Sequence, residues 1–226
     1  LEFRRVLFRS GFTSMRLYIL LLLVITIAVP VAAEDFAIEG TKGTGLAAAR
    51  VATFDEPWAM TFLPDGALLV TEKRGLLWHV TTDGSKTKVQ GLWNVAYGGQ
   101  GGLGDVVLHP DFERNSWVYL SYAERSFDNA ATGAVVVRAK LGLKNRPLKL
   151  VSVEKLWVQD PKVTGKGHYS HRIAFGPDGK MFITSGERQK FTPAQNFDGN
   201  LGKVLRLNDD GTVPNDNPWQ NRGEIA

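Results

Sequence analysis

The chain has 226 residues, 27 lysines and arginines against 23 aspartates and glutamates, and no cysteine. Most of its net charge of +4 sits at the N-terminus: in residues 1–33 four arginines (Arg4, Arg5, Arg9, Arg16) face one acid (Glu2), leaving 23 basic against 22 acidic residues from Glu34 onward. That balance excludes a basic stripe for nucleic acid, the lack of cysteine excludes a disulfide scaffold, and an apolar content of 43% excludes a disordered chain.

In chain order, residues 1–14 read as a non-native, adapter-like leader and are set aside, with Met15 the expected natural start. Residues 15–33 have the layout of a signal peptide, which forms a helix ahead of the folded domain. Arg16 is its charged end, Leu17 to Val29 its apolar stretch, and Val31 and Ala33 its small residues at the cleavage site. The apolar stretch is shorter than the ~20 residues a spanning helix needs. The expectation is therefore a secreted or periplasmic protein that begins at Glu34 and keeps no stable membrane span; an uncleaved anchor is the alternative.

From residue 34 to 226 one pattern appears three times. An apolar strand runs into a Pro-Asp turn, at Pro64-Asp65-Gly66, Pro110-Asp111 and Pro177-Asp178-Gly179, and a β-rich strand follows. Proline sets φ at an early turn position, and aspartate can bond the backbone beyond it. A further strand follows each pair, over 75–80, 134–139 and 203–207. The prolines are 46 and 67 residues apart. Short strands, turns and a long period indicate an all-β fold of propeller blades, with a generic β-sandwich as the lesser alternative. About three to four blades fit into this length, so the chain reads as part of a ring cut at its C-terminal side. Open strand edges then predict poor solubility. No long helical period competes; Ala47 to Val51 has room for one helical turn, but its glycine-rich approach favours a loop.

His168 stands just before the apolar strand of the third unit, at a strand end where an imidazole can exchange a proton with a ligand. Gln100 lies among glycines, and its amide can both donate and accept. The same run, Gly99 to Gly104, spells GxGxxG, but a strand rather than a helix follows, which argues against a dinucleotide site. The glycines instead let the backbone approach a flat cofactor or its neighbours. Arg172 has two readings, stabilising negative charge on a cofactor or pairing with a carboxylate between strands; the second is the simpler. Glu187 and Arg188 read as a pair or cap beyond a strand end, His109 as structural, His79 as an outer-strand residue, and His171 has no assigned role.

Together these segments resemble the glucose/sorbosone dehydrogenase family of soluble quinoproteins that use pyrroloquinoline quinone (PQQ), most closely its aldose sugar dehydrogenase branch. The resemblance rests on Glu56 to Met60, Gly99 to Leu103, His109 to Phe112, His168 with Arg172 to Gly179, Gly186 to Arg188, Ala194-Gln195, Gly202 to Leu207 and Asp216 to Pro218. It implies a six-bladed β-propeller that binds PQQ and calcium and oxidises an aldose at its anomeric carbon to the lactone, passing electrons to a soluble acceptor. It implies that His168 is the general base for hydride transfer to the quinone, and that Gln100 and Arg172 lie near cofactor or sugar. It also implies that the calcium loop and most of the basic clamp for PQQ lie beyond position 226, with no metal site in this segment and no turnover by this chain alone.

Two departures from the family pattern stand out. Ser170-His171 replaces the usual small residues, with the expectation of extra bulk beside the cofactor. Gly167 replaces the acid of the glucose-specific relatives, so strict glucose specificity is not supported. Two rival functions stay open: a lactonase-type hydrolase with a metal cage drawn from Asp105, Asp178 and Asp198, and a non-catalytic propeller that binds carbohydrate or protein.

Overall fold

The structure is a computed structural model in which residues 35–92 and 95–219 are described. The leader expected over 1–14 and the signal peptide expected over 15–33 lie outside the described residues. No helix among the described residues is long and apolar enough to cross a membrane.

The chain opens with an antiparallel hairpin, β1 (Asp35–Glu39) and β2 (Gly45–Ala49), paired from Asp35↔Ala49 to Glu39↔Gly45. The sequence pointed to a loop here. Gly43, at φ 73, reverses the chain and brings Thr44 O onto the N–H of Gly40 at 2.8 Å, so the alanines run back as a strand.

Three antiparallel meanders follow. The first sheet has the order β3 (Pro57–Phe62), β4 (Leu68–Glu72), β5 (Leu76–Val80), β6 (Lys86–Val89). The second contains β7 (Leu103–Leu108), β8 (Trp117–Arg125), β9 (Thr132–Gly142) and β10 (Lys149–Val158), again in sequential order. The third contains β11 (Ser170–Phe175), β12 (Met181–Ser185) and β13 (Lys203–Leu207). These are propeller blades, two four-stranded and one three-stranded among the described residues, within the expected all-β architecture.

The Pro-Asp turns work as their chemistry suggests in the first and third sheets. The N–H of Ala67 donates to Asp65 Oδ1 at 3.0 Å, and that of Lys180 to Asp178 Oδ1 at 3.1 Å. The second copy differs. His109 Nδ1 accepts the N–H of Asp111 at 2.9 Å, and a short helix, α1 (Phe112–Asn115), is inserted before β8.

The blades stack through their faces. Alternate residues of a strand point to opposite faces, and β9 buries both. Val135 and Val137 join Leu69, Leu77, Leu103 and Leu120 in the core between the first two sheets. Ala134 and Val136 join Tyr119, Ile173, Met181 and Leu205 in the core between the second and third. This explains the unbroken apolar run over 134–137: a strand covered on both sides has no solvent face. Each fully buried valine or leucine stabilises the stack by roughly 1.5–3 kcal/mol.

Between sheets, Asp105 of β7 accepts the N–H of Ile173 at 2.8 Å and pairs with Arg172 Nη1 at 3.2 Å, both from β11. Burial raises the Asp105 carboxyl above its ordinary value, against these two partners. The polar bridge fixes the approach of the third sheet to the second, directly below the loop that carries His168.

Candidate active site

His168 sits between the glycine-bracketed loop Gly165 to Gly167 and β11. The hairpin β11–β12 pairs Phe175 with Met181 and Ser170 with Ser185. Two residues further from the turn, His168 meets Glu187. Its Nδ1 and the Glu187 Oε1 form a short hydrogen bond. The other carboxylate oxygen accepts the N–H of Phe191 at 2.7 Å. The bond to His168 is the main cause, and the Phe191 amide the second, that hold the Glu187 carboxyl down at about 2. An ionised carboxylate only accepts. Nδ1 therefore carries the proton, and in the neutral ring Nε2 is left with a lone pair.

The backbone is bent to deliver this pairing. His168, Ser170 and His171 all have φ near +50°, at 47, 58 and 55. Main-chain bonds tie the loop to the end of β12, from Gly186 N to Tyr169 O at 3.1 Å and from Arg188 N to His168 O at 3.3 Å. Gly186 is required by this approach, since a Cβ there would stand 1.8 Å from His168 O.

Gln100 comes from the first turn of the second unit. Its Oε1 accepts the main-chain N–H of His168 at 2.7 Å, and its own N–H donates to Lys166 O at 2.8 Å. Gly99 serves this contact, since a Cβ there would lie 2.6 Å from Lys166 O; Gly102 serves a separate approach, with a Cβ 2.3 Å from Lys73 O. The strand β7 follows at once, where a dinucleotide fingerprint would need a helix. His168, Glu187 and Gln100, with Trp58, Ser170 and Gly186, line a cavity of about 590 Å³. The imidazole is half-exposed there.

Arg172 is placed elsewhere. It pairs with Asp105, lies 5.0 Å from the centre of the Trp58 ring, and lines a neighbouring cavity instead. Of its two readings, the carboxylate pairing between strands is the contact that the side chain makes here. The bulk expected from Ser170-His171 is also redistributed. Only Ser170 reaches the His168 cavity. His171 turns inward, 1% exposed, stacked on Trp58 at 5.3 Å with Ser121 Oγ 2.7 Å from its Nδ1. Gly104 makes the room, since a Cβ would meet the His171 ring at 2.0 Å. Burial, aided by the charges of Arg172 and Arg188, pushes this imidazole down to about 4, so it is neutral.

The carboxylates considered for a hydrolytic metal cage are dispersed. Asp105 serves β11, Asp178 pairs with Arg206 at 2.8 Å, and Asp198 lines a different cavity. No group of three metal-binding side chains occurs among the described residues. His109 accepts from the turn after it and lies 3.4 Å from Asp209, a structural setting.

Sequence reasoning passed over Glu187 and Arg188 as functional residues. The hairpin turns about Asp178, with Phe175 opposite Met181, so residue order alone sets 168 opposite 188; a register shift between Ser170 and Ile173 brings Glu187 there instead, and the sequence carries no signal for it.

Comparison with known proteins gives a consistent picture. Residues 54–226 match the model of the glucose/sorbosone dehydrogenase family. Aldose sugar dehydrogenase YliI of Escherichia coli is 37% identical over 167 residues, covering 73% of this chain and 44% of that protein. Quinoprotein glucose dehydrogenase B of Acinetobacter calcoaceticus is 28% identical over 195 residues, covering 74% and 40%. Among solved structures, the apo-form of the soluble aldose sugar dehydrogenase of Escherichia coli aligns with a TM-score of 0.71 at 34% identity, over 76% of this chain and 49% of that one. The PQQ-bound aldose sugar dehydrogenase of Streptomyces coelicolor aligns with a TM-score of 0.69 at 26% identity, over 85% and 54%. The chain thus spans about half the length of the relatives it matches. By the family match over most of its length and by the blade architecture that accompanies it, the chain belongs to the glucose/sorbosone dehydrogenase family.

Proposed function

We propose that this chain carries the base-bearing part of a PQQ-dependent aldose dehydrogenase that oxidises the anomeric hydroxyl to a lactone, with His168 as general base. The His168–Glu187 pair facing an open cavity carries this assignment. The related dehydrogenases supply the substrate class and the cofactor.

The donor set fits the reacting edge of PQQ and the sugar: an imidazole with a free nitrogen and the amide of Gln100. It does not include cations for the three PQQ carboxylates. Arg188 and Lys203 are committed to main-chain carbonyls, and Arg172 to Asp105. On this proposal the remaining clamp and the calcium site belong to the part of the relatives' length that this chain does not span, and the 226 residues alone do not turn over.

When bound, PQQ supplies the two-electron oxidising centre. The protein's own residues handle the proton. Glu187 fixes the ring orientation and the tautomer, as the carboxylate of a catalytic triad does. His168 Nε2 takes the proton of the anomeric hydroxyl while the C1–H bond breaks with its electron pair. Gln100 holds the His168 main chain, so the ring stays aimed at the cavity. A positioned base of this kind is worth about 10²–10⁴-fold in rate. Gly167 puts no acid beside His168, in keeping with broad aldose use. Export to the periplasm or beyond, through residues 15–33, and a soluble electron acceptor complete the proposal.

The test is His168→Ala in the family domain at the relatives' full length, with sugar-dependent dye reduction and PQQ binding measured separately. Loss of about 10² or more in kcat with PQQ still bound is expected. Undiminished dye reduction by the variant would falsify the base assignment. Sugar binding with no dye reduction even in the unsubstituted protein would favour a binding propeller.

A further inference from the structure

We infer that Arg188 is a positioning residue for His168, clamping the main chain that carries the imidazole while the adjacent Glu187 holds the ring. The role presupposes no particular substrate, but it gains its catalytic meaning from His168 as base. Arg188 follows Glu187 at the end of β12 and turns back at φ 60 into the protein, where it is 1% exposed. Its Nε donates to Gly167 O at 2.8 Å. Its Nη2 donates to Gly165 O at 2.6 Å and to Thr132 Oγ1 at 3.2 Å. Its Nη1 donates to Thr132 O at 2.5 Å and reaches Gln159 Oε1 at 3.4 Å. The guanidinium carbon lies 3.6 Å from the centre of the Tyr169 ring.

The chemistry of the set is unusual. Every one of these oxygens is uncharged, and among the described residues Arg188 enters no ion pair. A buried cation without a counter-ion is costly, and burial indeed lowers the Arg188 pKa. A structural tie between two strands needs no charge. A planar fork with five N–H donors, however, can hold two carbonyls of one short loop and the end of a strand in the neighbouring sheet at once. The loop it holds, Gly165 to Gly167, is bounded by glycines; its other ties are the Gln100 N–H to Lys166 O at 2.8 Å and the hydroxyls of Thr132 and Tyr169 to Gly165 O at 3.1 and 3.4 Å, and only the fork reaches the carbonyl next to His168. Glu187 and Arg188 therefore act from a single dipeptide: carboxylate to the His168 ring, guanidinium to the Gly165 and Gly167 carbonyls of the loop that leads into it.

The test is a two-bond proton–nitrogen correlation spectrum of the 15N-histidine-labelled 226-residue chain, with its four histidines assigned by substitution. His168 in the unsubstituted chain is expected to show one tautomer, protonated at Nδ1. In Arg188→Met and in Arg188→Lys, which keeps the charge and loses the fork, the His168 signals should move to values averaged over both tautomers or broaden away. The His79 signals, from the first sheet, should stay in place. A His168 spectrum like that of the unsubstituted chain in Arg188→Lys overturns the inference, whatever Arg188→Met does. Loss of the His79 signals in both variants overturns it too, because Arg188 then holds the whole fold rather than one loop. If the His168 signals move as expected while sugar oxidation is indifferent to His168→Ala, the positioning role stands and the base assignment falls.

Discussion

The amide oxygen of Gln100 accepts the main-chain N–H of His168 at 2.7 Å, joining two loops 68 residues apart in the chain. The glutamine thus acts on the backbone of the histidine, and its effect on a sugar would be exerted through that contact. Gln100→Ala removes the acceptor; Gln100→Glu keeps one. Removing a hydrogen bond of this kind costs about 1–2 kcal/mol, close to tenfold in rate. Steady-state kinetics with several aldoses should show Gln100→Ala slower by about that factor and Gln100→Glu less affected. Equal losses in the two variants would point to a direct role for the amide nitrogen.

Glu187→Gln tests the orientation of the ring. The glutamine can present its N–H to Nδ1, favouring the tautomer with the proton on the wrong nitrogen. A fall in kcat of ~10² or more is expected, with sugar KM little changed. The pH behaviour has a definite sign. The carboxyl is lowered from 4.5 to about 2, so its contribution to stability is complete above its unfolded value and disappears as pH falls through about 2. Glu187 should therefore add no limb to a pH–rate profile recorded between about pH 5 and 9.

Gly186→Ala places a methyl where His168 O already stands, 1.8 Å from the ideal Cβ position. The obstacle is main chain and cannot swing aside. We expect the His168 loop to be displaced, with activity reduced ~10²-fold or more and stability lowered by about 1–3 kcal/mol. Urea unfolding and dye reduction on the same preparation check both.

His171 should give the fold an acid-sensitive component. Its pKa falls from 6.5 to about 4 on folding, chiefly by burial. The unfolded chain then binds the proton first, so stability declines as pH drops from about 6.5 to about 4 and levels off below. The full effect is up to ~3 kcal/mol. Urea midpoints at about pH 7 and pH 4.5 should differ more for the unsubstituted chain than for His171→Gln; an identical pH dependence in the two removes His171 as the cause.

Much of the fold was legible along the chain, for local reasons. Pro64-Asp65-Gly66 and Pro177-Asp178-Gly179 specify turns through the proline ring and an aspartate that bonds the next strand. The runs between them are β-rich, and the run over 134–137 is apolar on both faces because sheets cover it on both sides. The hairpin over 35–49 was missed because its alanines carry little strand signal, and pairing with β1 is what ordered them. His171 was misjudged because the space that receives its ring depends on Gly104, in another blade.

By itself the sequence determined the blade units, the histidine poised before a strand, and the glycines that permit a close approach. Those follow from backbone geometry and side-chain type within a few residues. Only the tertiary structure decided that Glu187 holds the His168 ring, that Gln100 holds its backbone and Arg188 the loop before it, and that Arg172 belongs to Asp105. Those partners lie on separate strands and loops. Which of them meet depends on strand register and on how one blade stacks against the next, and residue type alone carries neither.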